Sequence, residues 1–223
     1  RAISSRAPSA ARAPLRKVGI LKAKNSTHIL FLCLKILFRM ENVVKEKVWT
    51  YEDYLKLDDD KRCEVINGRL MEMPAPSVSH QRISRNLEFK IWEFVKKKNL
   101  GEIYDAPIDV VLSEDVVLQP DIVYISKGRL GIIGDKAIMG APDLVVEIVS
   151  PSTTRRDTVV KKGIYEEFGV KEYWIVYPDE KAMEVWVLGE SGKYELYSFA
   201  EKEGKIKSKV LEGFEVDLKE VFG

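Results

Sequence analysis

The sequence predicts an α/β (α+β) fold, because strand patterns and helix patterns both recur between residues 41 and 223. Residues 121–125 and 144–149 are apolar runs rich in β-branched side chains, and Pro, Gly and Ser bound them. Such runs are typical of buried strands. Residues 77–98 instead carry apolar side chains four positions apart, which predicts the longest helix of the chain.

The part of the chain before this helix predicts a short helix and then a β-hairpin. Thr50 and Asp53 have the spacing of a capping box, which predicts a helix over about residues 51–57. Asn67-Gly68 lies between two strand-like runs and is a strong signal for a tight hairpin. Glu64 falls on the first strand of that hairpin.

The remaining strands are predicted from shorter patterns. Residues 102–113 predict one strand, and the glycine-rich residues 128–142 have no clear period and predict a loop. Further strands are expected at residues 172–177, 183–188 and 194–199, followed by a strand and a short helix within residues 205–223.

A second helix is expected after a loop at residues 150–156. It begins at about Asp157 and ends at Gly169, a residue type that is common just past the end of a helix. Its apolar side chains are four positions apart and share one face: Val160, Ile164 and Phe168.

Composition is that of a globular protein, with 45% hydrophobic and 32% charged residues. The formal net charge of +1 hides an asymmetry along the chain. Residues 1–40 hold nine Lys or Arg and no acid, so residues 41–223 carry a net charge of −8. An acidic body argues against a general nucleic-acid-binding surface, but it allows a local basic groove.

The first 40 residues are predicted to be a basic extension outside a single domain of residues 41–223. Three explanations for the extension are open. It is rich in Arg and Ser and free of acids, as targeting peptides are. A membrane anchor is the second explanation, although the apolar stretch 28–38 is too short to span a bilayer and contains Lys35. The third is that translation starts at Met40. We expect no membrane association.

The cysteines and glycines exclude several kinds of site. Cys33 and Cys63 have no neighbouring Cys or His at metal-binding spacing, so neither a zinc site nor a disulfide framework is expected. A reducing, cytoplasmic setting is therefore predicted. The glycines within residues 128–142 lack the spacing of a nucleotide-binding motif, and no organic cofactor is expected.

Two acids within the predicted buried strands mark a candidate metal site. An isolated carboxylate there is costly, and a hard divalent cation would account for Asp121 and Glu147 together, because such ions bind carboxylate oxygens. Either acid alone is more often a cap or an ion-pair partner. A lysine on the following helix completes a set suited to metal-assisted phosphodiester chemistry. Lys161 is favoured by its position beside the apolar face, and Lys162 is its rival.

Three further side chains are weaker candidates. Asp143 shares strand parity with Glu147, but it follows Pro142, where a capping role explains it as well. Glu64 either completes the metal site or faces solvent on its hairpin. His80 begins the long helix, where a lone histidine is more often structural. The sequence offers no Ser/His/Asp or Cys/His set for covalent catalysis.

Five motifs between about residues 48 and 190 stand out together: Glu64-Val-Ile-Asn-Gly-Arg-Leu70, Gln119-Pro-Asp121-Ile-Val123, Ala141-Pro-Asp-Leu-Val-Val-Glu147-Ile-Val-Ser-Pro-Ser-Thr153, Asp157-x3-Lys161-x3-Tyr165 and Gly169-Val-Lys-Glu-Tyr-Trp-Ile-Val176. On these motifs the chain resembles the Uma-two-type endonucleases, a bacterial branch of the restriction-endonuclease-like PD-(D/E)XK nuclease superfamily. The resemblance implies a restriction-endonuclease-like fold, with a mixed central β-sheet flanked by helices and an extra N-terminal β-hairpin.

The resemblance also implies a site and an activity. It implies Asp121 and Glu147 as ligands of Mg²⁺ (or Mn²⁺), with Glu64 as the upstream acid. In the general superfamily pattern the lysine would fall at Val149, which cannot serve. The resemblance implies that in this branch the lysine lies on the following helix, where Lys161 matches. The activity implied is hydrolysis of the phosphodiester bonds of DNA.

We therefore expect a cytoplasmic, Mg²⁺-dependent endonuclease with DNA as its substrate. Its predicted catalytic residues are Glu64, Asp121, Glu147 and Lys161. Two alternatives stay open: a catalytically silent module that binds nucleic acid or protein on the same fold, or a phosphodiesterase that acts on RNA or nucleotides. A homodimer would provide two sites to cut both strands of a duplex, and it also stays open.

Overall fold

The structure, a computed structural model, describes residues 47–57 and 62–223. The predicted N-terminal extension, residues 1–40, lies outside this range, so its boundary with the domain stays a prediction. In chain order the elements are α1 (Tyr51–Tyr54), β1 (Cys63–Ile66), β2 (Arg69–Glu72), α2 (Val78–Lys98), β3 (Gly101–Asp105), β4 (Asp109–Ser113), β5 (Val116–Leu118), β6 (Ile122–Ser126), a 3₁₀-helix (Lys127–Ile132), β7 (Ala137–Met139), β8 (Leu144–Ile148), a π-helix (Arg156–Lys161), α3 (Lys162–Glu167), β9 (Glu172–Tyr177), β10 (Ala182–Leu188), β11 (Tyr194–Glu201), β12 (Lys205–Lys207), β13 (Glu215–Asp217) and α4 (Leu218–Phe222).

The central sheet has six strands in the order β11-β10-β9-β8-β6-β3. Strands β8 and β9 are parallel and the other neighbours are antiparallel, so the sheet is mixed. All five residues of β8 are buried, as expected for an apolar strand with neighbours on both sides. The mixed sheet and its flanking helices confirm the predicted fold class.

Helices cover both faces of this sheet. Four side chains of α2, spaced about one turn apart, are buried against one face: Ile83, Leu87, Ile91 and Val95. Leu144 and Val146 of β8 belong to the same apolar cluster. Val145 belongs to the cluster on the opposite face, together with Tyr165 of α3. Successive side chains of a strand alternate between faces, so Glu147 lies on the α3 face with Val145.

The ends of α2 follow from local chemistry. Ser77 is the N-cap, and its side chain accepts a hydrogen bond of 3.1 Å from the backbone N–H of His80. Asn99 ends the helix in the left-handed conformation with φ of 55°. Gly101 follows, and only glycine fits there, because a Cβ would lie 2.0 Å from the carbonyl oxygen of Ile125.

The predicted hairpin belongs to a second sheet of five strands in the order β2-β1-β5-β4-β7. Asn67 and Gly68 have φ values of 49° and 73°, as a tight two-residue hairpin turn requires. Strand β1 also pairs with β5 through Val65 and Val117. The sequence did not predict this sheet as a unit, because β5 and β7 have only three residues each and show no period.

Two predictions for residues 102–142 are wrong. Residues 102–113 form two strands of different sheets, β3 and β4, instead of one. Pro107 lies between them and has no N–H with which to continue a strand ladder. Residues 128–142 are not only a loop, since they contain most of the 3₁₀-helix and all of β7.

The predicted face of the second helix is also corrected. Arg156–Lys161 form a π-helix, and Val160 is 39% exposed instead of packing inward. Asp157 and Lys161 are buried in its place. A π-helix has a wider turn than an α-helix, so it shifts which side chains face the sheet. Separately, no helix in residues 47–57 or 62–223 is long and apolar enough to cross a membrane.

Candidate active site

A cavity of about 240 Å³ lies where the beginning of α2, the start of β6, the end of β8 and the π-helix meet. Its volume is enough for several water molecules, at about 30 Å³ each, or for a small polar group. Its charged and titratable lining residues are Arg62, His80, Asp121, Glu147, Arg156, Asp157, Lys161 and Asp179. Three of the four predicted site residues therefore face one space.

Lys161 is at the centre of the charged groups beside this cavity. Its side chain is only 1% exposed, and its Nζ lies 2.6 Å from Glu64 Oε1 and 2.9 Å from Glu147 Oε1. Asp157 Oδ1 is 3.8 Å from the same nitrogen. We call these four residues, Glu64, Glu147, Asp157 and Lys161, the acid–lysine cluster. Three members of the cluster line the cavity. Glu64 does not line it, but contacts Lys161 directly.

Neutral groups fix the two acids that Lys161 contacts. The hydroxyl of Tyr165 donates a hydrogen bond of 2.8 Å to Glu147 Oε1. The backbone N–H of Gln119 donates one of 2.9 Å to Glu64 Oε1. Each carboxylate is thus held by a donor besides the lysine, which gives the cluster a defined geometry.

Asp121 is held at the neighbouring wall by two different groups. The backbone N–H of Ile148 donates to Asp121 Oδ2 at 2.6 Å, and Nε2 of His80 lies 2.9 Å from Asp121 Oδ1. Ile148 directly follows Glu147, so this contact ties the two predicted metal ligands to one strand end. His80, which the sequence favoured as a structural residue, lines the cavity and orients Asp121.

Burial dominates the electrostatics of the cluster. It raises the pKa of Glu147 well above the usual range; Lys161 opposes this, and the nearby acids add to it. Burial also raises the pKa of Asp157. For Lys161 burial lowers the pKa, but Glu147, Glu64 and Asp157 together outweigh it and leave the pKa above its ordinary value. Lys161 is therefore an ammonium at neutral pH and cannot act as a general base.

Buried polar atoms without a hydrogen-bond partner are concentrated here. Across the described part of the chain, such side-chain atoms are Arg62 Nε, Glu64 Oε2, Gln119 Oε1, Arg156 Nε and Asp157 Oδ1. Arg62, Arg156 and Asp157 line the cavity, Glu64 contacts Lys161 there, and Gln119 donates a hydrogen bond to Glu64. Buried polar groups are normally paired, so this concentration indicates a place for water, an ion or a ligand.

The donor set fits a hard divalent cation. Asp121 and Glu147 both present carboxylates to the cavity, and oxygen is the ligand that Mg²⁺ prefers. Residues 47–57 and 62–223 contain no group of three or more His, Cys, Asp and Glu side chains arranged to hold a metal by themselves. Mg²⁺ commonly uses only one or two carboxylates and takes water and phosphate oxygens for the rest, so two carboxylates suit it.

Two of the weaker sequence candidates lie elsewhere. Asp143 is buried at the other end of β8. Its Oδ1 lies 2.6 Å from Lys171 Nζ and 3.1 Å from an Nη atom of Arg129. It is an ion-pair residue of the fold. Lys162 points away from the acids, and its Nζ lies 2.8 Å from the centre of the Trp186 ring. Of the two lysines, Lys161 is the one that reaches the cluster.

Sequence reasoning missed Asp157 and Arg156 as residues of the site. Asp157 precedes Lys161 by four positions, and this helical spacing was a usable signal for a neighbouring acid. Arg156 had no such signal, because its position at the cavity depends on the π-helical turn. His80 was only a weak candidate in the sequence, although its place in the first turn of α2, three residues after the Ser77 cap, was a usable signal.

A mixed sheet flanked by helices, with acids gathered around a buried lysine at one strand end, defines a restriction-endonuclease-like protein. A sequence model of the Uma2 family, whose description is "Putative restriction endonuclease", matches residues 51–219. The chain belongs to this family.

A solved structure agrees with the fold. The chain is similar to a crystal structure of "a putative nuclease belonging to DUF820" from Anabaena variabilis, with a TM-score of 0.65 and 21% sequence identity. The similarity covers 78% of this chain and 97% of that chain. At this identity it shows the fold. No curated protein matches the chain. Family and fold together support a nuclease.

Proposed function

We propose that this protein is a metal-dependent endonuclease that hydrolyses phosphodiester bonds of DNA, with Asp121 and Glu147 as the ligands of Mg²⁺ (or Mn²⁺). The observation that carries the proposal is the buried Lys161 ammonium, held 2.9 Å from Glu147 at the cavity that Asp121 also lines. Membership of the Uma2 family supports a nuclease.

Lys161 is the proposed catalytic cation. Because it is protonated at neutral pH, it can donate a hydrogen bond to the attacking water and stabilise negative charge that develops on the phosphate. Glu64 contacts Lys161 and not the cavity, so its proposed role is to position the lysine. Tyr165 has the same kind of role toward Glu147.

Asp121 and His80 form the second wall of the proposed centre. The Ile148 N–H and His80 fix both oxygens of Asp121, and each oxygen keeps a lone pair for a cation. A bound divalent cation would lower the pKa of a coordinated water and neutralise charge on the phosphate. The cluster places three acids around one lysine, and this excess of buried carboxylates favours a further cation in this place, because buried negative charge is costly.

The test is a cleavage panel with the purified full chain. Supercoiled plasmid, single-stranded DNA and RNA of matched sequence are incubated with Mg²⁺, with Mn²⁺ or with EDTA. We expect metal-dependent cleavage of DNA that is absent in EDTA and in Glu147→Gln, which keeps the shape of the side chain. Asp143→Asn is the matched control, because it alters a buried acid outside the cavity, and it should cleave.

The panel also separates the alternatives. If RNA is cleaved and DNA stays intact, the substrate is RNA and the proposed DNA substrate is wrong. Intact nucleic acid in every lane would contradict catalysis and leave a binding module on the same fold.

A further inference from the structure

Two arginines line the cavity, and the proposed chemistry does not use either of them. Arg62 directly precedes β1, and Arg156 begins the π-helix. The Nε atom of each is buried and has no hydrogen-bond partner. These are the only buried side-chain nitrogens in residues 47–57 and 62–223 for which this is so. Both unpaired donors therefore belong to residues that line the same cavity.

Arg156 lies at ion-pair distance from two acids but makes no hydrogen bond to either of them. Its Nε lies 4.0 Å from Glu64 Oε2 and 3.8 Å from Asp157 Oδ1. Both distances exceed that of a hydrogen bond, and both acid oxygens are themselves unpaired. If Arg156 served only as a counterion of these acids, direct hydrogen bonds would be the expected arrangement. Arg156 lines the cavity, so an anion bound there would supply the hydrogen bonds that these acids do not.

Arg62 reaches the same cavity from another element. Its backbone carbonyl accepts a hydrogen bond of 2.9 Å from the N–H of Met73, so the main chain is fixed at this point. Residues 73–77, which connect β2 to α2, also line the cavity. The two guanidinium groups thus come from separate and well-anchored segments, as in a binding site built from two sides.

We propose that Arg62 and Arg156 form a phosphate-binding subsite, which holds a phosphodiester group of the nucleic-acid strand at the cavity. A guanidinium is planar and presents several N–H donors that match phosphate oxygens in pairs. The subsite supplies positive charge at one place on a body whose residues 41–223 carry a net charge of −8. A local basic site of this kind reconciles the acidic body with a polyanionic substrate.

The inference rests on the proposed function for its substrate, so its test avoids metal and cleavage. The probe is a fluorescein-labelled 12-mer of oligo(dT), whose binding is measured by anisotropy in EDTA. All proteins are full-length and carry Glu147→Gln, which removes one negative charge from the cavity. Arg62→Gln and Arg156→Gln are compared with Arg69→Gln and Arg155→Gln. The last two are matched controls, because Arg69 and Arg155 are exposed and do not line the cavity.

The proposal predicts that Arg62→Gln and Arg156→Gln each weaken oligonucleotide binding about tenfold, while both controls stay within about twofold. Each loss of a phosphate contact should also reduce the slope of log affinity against log salt by about 0.7. Equal binding by the cavity variants and the controls overturns the inference, even if the parent cleaves DNA. Absence of measurable binding by the Glu147→Gln protein also overturns it.

A second pair of variants covers a failure to fold. If a Gln variant unfolds at a lower temperature than the parent, the corresponding Arg62→Lys or Arg156→Lys variant replaces it in the binding test. Lysine keeps the positive charge but lacks the planar pair of N–H donors of arginine. The proposal then requires the lysine variant to bind the oligonucleotide about threefold or more weakly than the parent, with an unchanged slope of log affinity against log salt. Binding as tight as that of the parent contradicts it. Arginine-dependent binding by a protein that cleaves nothing would leave the subsite standing and the proposed nuclease activity refuted.

Discussion

Lys161 Nζ lies 2.6 Å from Glu64 Oε1, and this contact joins the π-helix on the central sheet to strand β1 of the five-stranded sheet. Both side chains are almost completely buried. The pair therefore links the two sheets at the candidate active site. Through this contact an acid of the N-terminal hairpin reaches a candidate site built mainly from β6, β8 and the π-helix.

Replacing Lys161 should destabilise the protein as well as inactivate it. Lys161→Met leaves Glu64 and Glu147 buried without their cation, which should lower the free energy of unfolding by about 3–5 kcal/mol. Urea denaturation measures the loss. Lys162→Met is the matched control, because the Nζ of Lys162 lies over the Trp186 ring and outside the cluster, and its cost should be about 1 kcal/mol or less. An equal loss of unfolding free energy in the two variants would contradict the proposed role of Lys161 as the counterion of these acids.

Replacing His80 should weaken catalysis while the fold stays intact. His80→Ala removes the group that lies 2.9 Å from Asp121 Oδ1, and loss of a residue that orients a metal ligand commonly reduces metal affinity or activity about 10–100-fold. We expect slower cleavage and a higher Mg²⁺ requirement, measured as the rate of plasmid nicking against Mg²⁺ concentration. Gln81→Ala changes the next, exposed residue and should behave as the parent. An unchanged Mg²⁺ dependence in His80→Ala would remove His80 from the site.

Asp143 should contribute stability that depends on pH. Burial raises its pKa, but hydrogen bonds from Lys171 and from Ser126 outweigh this, so its folded pKa lies below the ordinary value of 3.8. A lowered pKa gives stability that is complete well above pH 3.8 and is lost as the pH falls through the folded value. Asp143→Asn should therefore cost about 2 kcal/mol near pH 7 and progressively less below pH 3.8.

Chemical denaturation of Asp143→Asn and the parent at several pH values measures this difference. Glu190→Gln, at an exposed acid, is the control and should change stability by less than about 0.5 kcal/mol throughout. A deficit for Asp143→Asn that grows on acidification would have the wrong sign for the proposed ion pair.

Local sequence patterns sufficed for much of this fold. The buried strands of the central sheet followed from apolar runs, and the hairpin turn at Asn67 and Gly68 followed from residues that tolerate positive φ. The capping box of Thr50 and Asp53 is present at α1. These features depend on near neighbours in the chain, so a single sequence contains the information that determines them.

The face of the second helix depended on distant residues instead. Apolar spacing predicted Val160 inside, but Asp157 and Lys161 are buried because the acids that balance the lysine arrive from β1 and β8. A local pattern does not include those partners. Asp121 and Glu147 were predicted as candidate site residues because a charge in an apolar strand is unusual, whereas Arg156 broke no local rule.

The central claim is that Asp121 and Glu147 bind a divalent cation on which cleavage depends. Calorimetric titration of Mn²⁺, run beside plasmid nicking on the same full-length preparations, tests it most directly. The account predicts saturable Mn²⁺ binding and nicking by the parent and by Asp143→Asn. Both should be lost together in Asp121→Asn and in Glu147→Gln. Mn²⁺ binding or metal-dependent nicking that survives in both variants would contradict it.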